Sequence, residues 1–303
     1  MLKFIDLFAG IGGMRLGFER NGMKCVFSSE WDRHSQATYA ANFGEIPAGD
    51  ITQIAAQDIP KFDILLGGFP CQPFSSIGKR QGFEHPTQGT LFYDIVRILE
   101  HHNPSAFLLE NVKGLTNHDN GNTWRVIQET LENLGYDLQT KVLDAAKFGV
   151  PQHRERIYIV GFAKKLKSAS KFEWPKEVKK TADIGSFIET NVEDRSISKR
   201  LQASYIYKLD DGRPEVVTPE TKGIVKTLVA SYHKIQRLTG TFVADGPTGL
   251  RLLTENECKA IMGFPKSFKV PVSRTQMYRQ FGNSVAVPVI EKLAKNIQKA
   301  LSA

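Results

Sequence analysis

Phe4-Ile5-Asp6-Leu7-Phe8-Ala9-Gly10-Ile11-Gly12-Gly13 is an apolar run that ends in glycines at 10, 12 and 13. Such a run reads as a buried strand passing into a tight turn, because residues without a Cβ let the backbone turn sharply and approach a ligand closely. Gly13–Arg20 then reads as the helix that follows. The same unit recurs outward along the chain. Lys24–Ser29 is a strand followed by a helix over Asp32–Asn42, and Asp63–Leu66 is a strand followed by a helix near Leu91–His101. Ala106–Leu109 leads to a helix over Thr123–Leu134, and Arg156–Phe162 is the last clear strand. Strand and helix alternating in this way predict an α/β fold, a doubly wound, mostly parallel Rossmann-like sheet covered on both faces.

After Phe162 the pattern breaks. Residues 163–250 are polar, Lys-rich and turn-rich, which predicts a smaller irregular unit. Helical pattern returns at Thr254–Met262, where Thr254 and Glu257 have the spacing of a capping box, and a last helix covers about Pro288–Leu301. The expected division is therefore 1–163 plus 265–303 for one domain, with 164–264 inserted as the second. Charge follows this division: residues 1–161 carry a net −3, residues 162–250 a net +5, and residues 251–303 a net +6. A polyanion gripped by the later segments is the expected partner.

The 303 residues suffice for one large or two modest domains. Apolar runs fall short of the roughly 18 residues of a membrane span, so no membrane partner is expected. Asp6 interrupts the N-terminal apolar stretch where a secretory signal would stay apolar. Cys25, Cys71 and Cys258 are odd in number and far apart, which predicts neither a disulfide framework nor a metal site. A cytoplasmic protein is expected.

Glu30 stands about 20 residues beyond the glycines, at the end of the second strand, where an acid accepts hydrogen bonds from ribose hydroxyls. Asp50 closes the next strand region. The spacing G-x-G-G departs from the G-x-G-x-x-G of dinucleotide sites, so the segment points to an adenosine-containing cofactor rather than to a nicotinamide. Gly67-Gly68-Phe69-Pro70-Cys71-Gln72-Pro73-Phe74-Ser75 follows a buried strand and holds one cysteine on a loop in the crevice at the strands' carboxyl ends. A thiolate placed there can reach a substrate. Cys25 and Cys258, in apolar patterning, read as packing residues. Glu110 ends a strand with an acid, and Gly149–Arg156 closes with Arg154 and Arg156, which point the same way if the stretch is extended. A cysteine, an acid and a fixed cation can together bind a pyrimidine. The plainer reading of Glu110 and Arg154 is a salt bridge, and of His153 a solvent-facing side chain.

The ordered set Asp6–Gly13, Glu30-Trp31, Gly49-Asp50-Ile51, Pro70-Cys71-Gln72, Glu110-Asn111-Val112, Gln152–Ile157, Arg251–Pro265 and Arg279–Val285 closely resembles the bacterial DNA (cytosine-5)-methyltransferases of restriction–modification systems. The resemblance covers nearly the whole chain in the usual order. It implies that Cys71 attacks C6 of a cytosine flipped out of duplex DNA, that Glu110 donates to N3, and that Arg156 contacts O2 with Arg154 beside it in the active-site wall. It implies S-adenosylmethionine as the cofactor, with no metal. Phe8 and Trp31 would lie around its adenine, with Glu30 on the ribose and Asp50 near the adenine amino group. Gly10, Ile11, Gly12, Gly13, Ile51, Pro70, Leu91 and Asn283 would make the remaining contacts. Residues 165–245 match least and correspond to the family's target-recognition domain. There Thr227 would buttress the flipped nucleotide, Arg237 would read guanine, and Gln236 would read a base or fill the vacated space, while Gln72 and Ser75 of the cysteine loop would also touch DNA. The partners implied are double-stranded DNA and a cognate restriction endonuclease acting separately, with the protein itself a monomer. Three rival readings are an RNA-directed relative, a catalytically silent DNA-binding scaffold and a nicotinamide-dependent oxidoreductase. The Cys-Phe-Thr signature usual in the tRNA-directed branch is absent from this sequence.

Overall fold

Alternation along β1 (Lys3–Leu7) sends Phe4 to one face of the sheet and Ile5 and Leu7 to the other. The same split recurs along β3 (Ile64–Gly68) and β4 (Ala106–Val112), where Leu66 and Leu108 share the first face and Leu65 and Leu109 the second. Both faces of these strands are therefore buried, which is why they read as continuous apolar runs. The computed structural model describes residues 1–70 and 91–302.

Six strands form the main sheet in the order β2-β1-β3-β4-β6-β5, with β2 at Lys24–Ser29, β5 at Tyr136–Asp144 and β6 at Glu155–Ala163. The first four pair in parallel. One face is covered by α1 (Gly13–Glu19) and the C-terminal α8 (Val287–Ser302), the other by α3 (Phe92–His102) and α4 (Asn122–Asn133). Helix α2 (Arg33–Phe43) starts from an Asp32 cap whose carboxylate accepts the Ser35 amide. No helix among the described residues is long and apolar enough to cross a membrane.

Two strands of the main sheet differ from the sequence expectation. Strand β5 was not expected; it lies at the sheet edge, and its polar residues Asp137, Gln139 and Lys141 interrupt the apolar run by which the other strands are recognised. Strand β6 is antiparallel to both β4 and β5. Only residues 145–154 connect β5 to β6, about the lower limit for a parallel crossover of a dozen or more residues, so the chain returns as a hairpin.

The smaller unit holds α5 (Lys199–Leu201) and a two-stranded pair, β7 (Glu215–Val217) with β8 (Thr241–Val243). Its core also takes in α6 (Glu255–Met262), Phe264, Phe268 and α7 (Arg274–Asn283), and reaches Ile11 at the Gly-rich turn. Phe172 and Trp174, by contrast, pack against the sheet. Packing thus crosses the 163/164 and 264/265 boundaries instead of breaking there. Thr254 and Glu257 form the expected capping box at the start of α6.

Candidate active site

The Gly-rich turn is held from below and from the side. Gly12 takes a left-handed φ of 82°, and a Cβ there would lie 2.2 Å from the Phe43 ring. Phe8, a bulky residue, also has a positive φ of 54°, a conformation that costs on the order of 1–3 kcal/mol and persists only where surroundings impose it. Glu30 binds the turn directly: one carboxylate oxygen accepts the Gly10 amide at 2.7 Å and the other accepts the Asp32 amide at 2.8 Å. Burial raises the Glu30 pKa, while these two amides oppose the shift. Beside it Trp31 is 76% exposed, an indole face left to solvent at the edge of the crevice. Asp50 accepts the Thr52 amide at 3.0 Å, and Ile51 next to it is buried.

Two residues not assigned a role from sequence support this region. Asp6 is buried under the turn with one carboxylate oxygen unpaired, and burial pushes its pKa well up. Arg15 donates to Glu19 at 2.7 Å and to Tyr39 at 3.1 Å, also binds Glu45, and stacks 4.3 Å from the Phe43 centroid. It ties α1 to α2. Of the Arg15 partners, Glu19 is one helical turn away, whereas Tyr39 and Glu45 lie 24 and 30 residues off, beyond any local pattern.

At the carboxyl end of β4, Glu110 is only 9% exposed and pairs with Arg156 Nε at 3.2 Å. Burial raises its pKa, against the pull of Arg156 and Arg154. Asn111 donates to the Phe69 carbonyl at 2.9 Å, pinning the chain immediately before Pro70. Cys71, Gln72 and Ser75 lie outside the described residues. Leu91 precedes α3 and Asn283 ends α7. The N-terminal end of α1 meets the segment after Asn283, because a Cβ on Gly13 would lie 2.8 Å from Ser284 Oγ.

Two of the arginines given a role by the resemblance are buried and bound within the protein. Arg154 is 2% exposed, and its guanidinium donates to Leu228 O at 3.0 Å, Gly282 O at 3.0 Å and Ser284 O at 2.5 Å. Those carbonyls take the place of water around the two terminal nitrogens, so Arg154 braces backbone while its charge still acts on Glu110 and Arg156. Arg237 is 5% exposed and turned inward; it pairs with Asp211 and donates to Ile206 O at 2.8 Å and Leu209 O at 3.0 Å. With its donors so engaged it clasps residues 206–213 and presents no free fork to a base. Around it Tyr205, Tyr207, Leu209 and Leu238 remain exposed. Gln236 Oε1 accepts from Ser231 at 3.0 Å and Thr239 at 3.1 Å. Thr227 is half-buried and its hydroxyl donates to His153 O at 2.6 Å.

Residues 2–299 match the family described as C-5 cytosine-specific DNA methylase. The chain is 61% identical over 299 residues to the Type II methyltransferase M.MspI of a Moraxella species, covering 99% of this chain and 71% of that one. It is 59% identical over 301 residues to the Type II methyltransferase M.BsuFI of Bacillus subtilis, covering 99% and 73%. Among solved structures, a mutant DNMT2 of Spodoptera frugiperda superposes with a TM-score of 0.81 at 25% identity, covering 98% of this chain and all of that one.

Proposed function

The chain belongs to the C-5 cytosine-specific DNA methylase family, and from that premise we propose that Cys71, Glu110 and Arg156 carry the reaction on a cytosine flipped from duplex DNA. The Glu110–Arg156 pair at the carboxyl end of β4 is the observation that supports the assignment. Cytosine C5 is a weak nucleophile. Addition of the Cys71 thiolate to C6 forms a C–S bond and turns C5 into an enamine-like carbon. Glu110, its pKa raised by burial, holds a proton that it donates at N3 as charge builds there. Arg156 neutralises O2. Once C5 carries the methyl group, loss of its proton to solvent lets the C–S bond break and returns the thiolate, and the N3 proton goes back to Glu110.

The turn fits S-adenosylmethionine. Each Glu30 carboxylate oxygen accepts one amide, which leaves lone pairs for two ribose hydroxyls, and the Trp31 indole is free to meet an adenine face. Phe8, Gly10, Ile11, Gly12, Gly13, Asp50, Ile51, Pro70, Leu91 and Asn283 would complete the binding site. When bound, the cofactor supplies an electrophilic sulfonium methyl. In the smaller unit, Thr227, Gln236 and the exposed Tyr205, Tyr207 and Leu238 face the DNA, with Arg237 as the clasp that shapes them. The relatives' Type II names support a cognate endonuclease as a separate partner.

Mapping 5-methylcytosine at base resolution after incubation with unmethylated genomic DNA and S-adenosylmethionine tests this reading. The expected result is one short recurring methylated sequence for the wild type and none for Cys71→Ala, which still binds DNA. Turnover by Cys71→Ala would remove the thiolate from the scheme.

A further inference from the structure

Leu228 has both of its backbone polar groups held by side chains from one short segment. Its N–H donates to Gln152 Oε1 at 2.8 Å, and its carbonyl accepts from Arg154 at 3.0 Å. Around that contact the two segments are laced together. Val225 N–H donates to Pro151 O at 2.9 Å, His153 N–H donates to Val225 O at 2.8 Å, and Thr227 reaches His153 O. Gln152, fully buried, also donates to Ile261 O at 2.9 Å. On the other side, Asp144 at the end of β5 accepts the Arg154 amide at 2.9 Å, which anchors the segment to the sheet.

The junction continues past Arg154 in two directions. Its second nitrogen reaches Gly282 O and Ser284 O, and Ser284 lies against Gly13 at the cofactor turn. Two residues further along the chain, Arg156 meets Glu110. One buried guanidinium thus holds segment 225–228 and the end of α7, whose Ser284 lies against the cofactor turn, and it sits two residues before the arginine that pairs with Glu110.

The geometry points to Gln152 and Arg154 as positioning residues that couple sequence reading to the chemical step. A shift of 225–228 on a wrong sequence moves Leu228, whose two backbone polar groups are both tied to the segment that leads into the strand carrying Arg156. Coupling through such a packed network needs no contact between Arg154 and substrate. This inference rests on the reading of Glu110 and Arg156 given above.

The test is steady-state methylation of two duplexes, one with the methylated sequence found by mapping and one with a single base pair of it changed, with S-adenosylmethionine titrated up to saturation. For Arg154→Lys the expected result is a fall in kcat on the correct duplex of about tenfold, with cofactor KM nearly unchanged, and a comparable loss of discrimination. Thr227→Val, a near-isosteric change at a half-buried position that removes the bond to His153 O, should reduce discrimination in the same direction. If Arg154→Lys does not fold, Thr227→Val decides. Full discrimination in the folded variants overturns the coupling. So does a loss of cofactor affinity, kcat and melting temperature in step, which would mark a merely structural brace. A wild type that methylates neither duplex would instead overturn the reading of the site on which the coupling depends.

Discussion

Gly282→Ala should damage the protein far more than its small size suggests. The residue lies in α7 with ordinary helical backbone, and exchanging Gly for Ala in a helix would by itself stabilise by up to about 1 kcal/mol. The added Cβ, however, would lie 2.2 Å from Ala230 N, 2.4 Å from Val229 C and 2.5 Å from Ala230 Cα. All three are backbone atoms, so no flexible side chain can swing away. Ordinary carbon contacts need about 3.5 Å, so α7 and residues 229–230 must part by roughly 1 Å. Overpacking of this kind costs about 1–3 kcal/mol. The same separation stretches the Arg154 bonds to Leu228 O and Gly282 O, each now 3.0 Å, and losing one such charged bond adds about 1.5–3 kcal/mol. The net is a destabilisation of roughly 2–5 kcal/mol, or about 4–10 °C in Tm at some 2 °C per kcal/mol for a chain of this size. Thermal unfolding followed by circular dichroism measures it. Gly114→Ala is the control, since nothing lies within 4 Å of a Cβ at that position. A Gly282→Ala protein that melts with the wild type would show that α7 and 229–230 do not touch through backbone, and the junction drawn at Arg154 would lose its geometry.

Glu30→Gln should weaken S-adenosylmethionine binding by about tenfold or more, because an amide cannot accept both the Gly10 and Asp32 N–H groups and the ribose hydroxyls; calorimetric titration reads this, and unchanged affinity would detach the turn from the cofactor. Burial raises the Glu110 pKa above its unfolded value, so the folded state holds the proton more tightly and the group's stabilising contribution is lost as pH rises through the folded value. Methyl transfer should therefore fall on the alkaline side, and Glu110→Gln should be slower with that limb absent; a limb that survives in the variant assigns it to another group. DNA affinity should fall by about a thousandfold between 50 and 200 mM salt if about six phosphates are neutralised, as measured by fluorescence anisotropy; a flat salt response would deny the basic later segments their role.

The first half of the fold was legible because its strands are buried on both faces and its turns carry their own signals. Phe4–Gly13 announces both a strand and a ligand turn, and Glu30 falls at the spacing that the turn requires. Strand β5 escaped because an edge strand need bury only part of its surface, and α7 because Arg274-Thr275-Gln276 and Arg279-Gln280 obscure the spacing of Met277, Tyr278 and Phe281. Arg154 and Arg237 illustrate a different limit. Sequence identifies a guanidinium suited to a substrate oxygen or a guanine, but the same five donors suit backbone carbonyls equally well. Which set it meets is decided by segments far away in the chain: Leu228 lies 74 residues from Arg154, and Ile206 lies 31 from Arg237.

The antiparallel course of β6 is what completes the site. In a sheet of parallel strands, ligands gather at the carboxyl ends, where the Gly-rich turn and Glu110 lie. A parallel β6 would begin at the opposite end, and its first residues would sit far from Glu110. Because β6 runs the other way, its start pairs with the finish of β4, Val112 opposite Arg156 and Ala106 opposite Phe162. From Arg156 to Phe162 is six residues, or about 20 Å at a strand's rise. Reversing the strand therefore moves Arg156 by about that distance, from the far edge of the sheet to the Glu110 carboxylate. The same reversal brings the preceding segment, with Gln152 and Arg154, to the rim where 225–228 can dock. An acid kept protonatable by burial needs its cation at its side without full exposure, and the hairpin of β5 and β6 supplies that cation from the backbone of the sheet itself rather than from a loop.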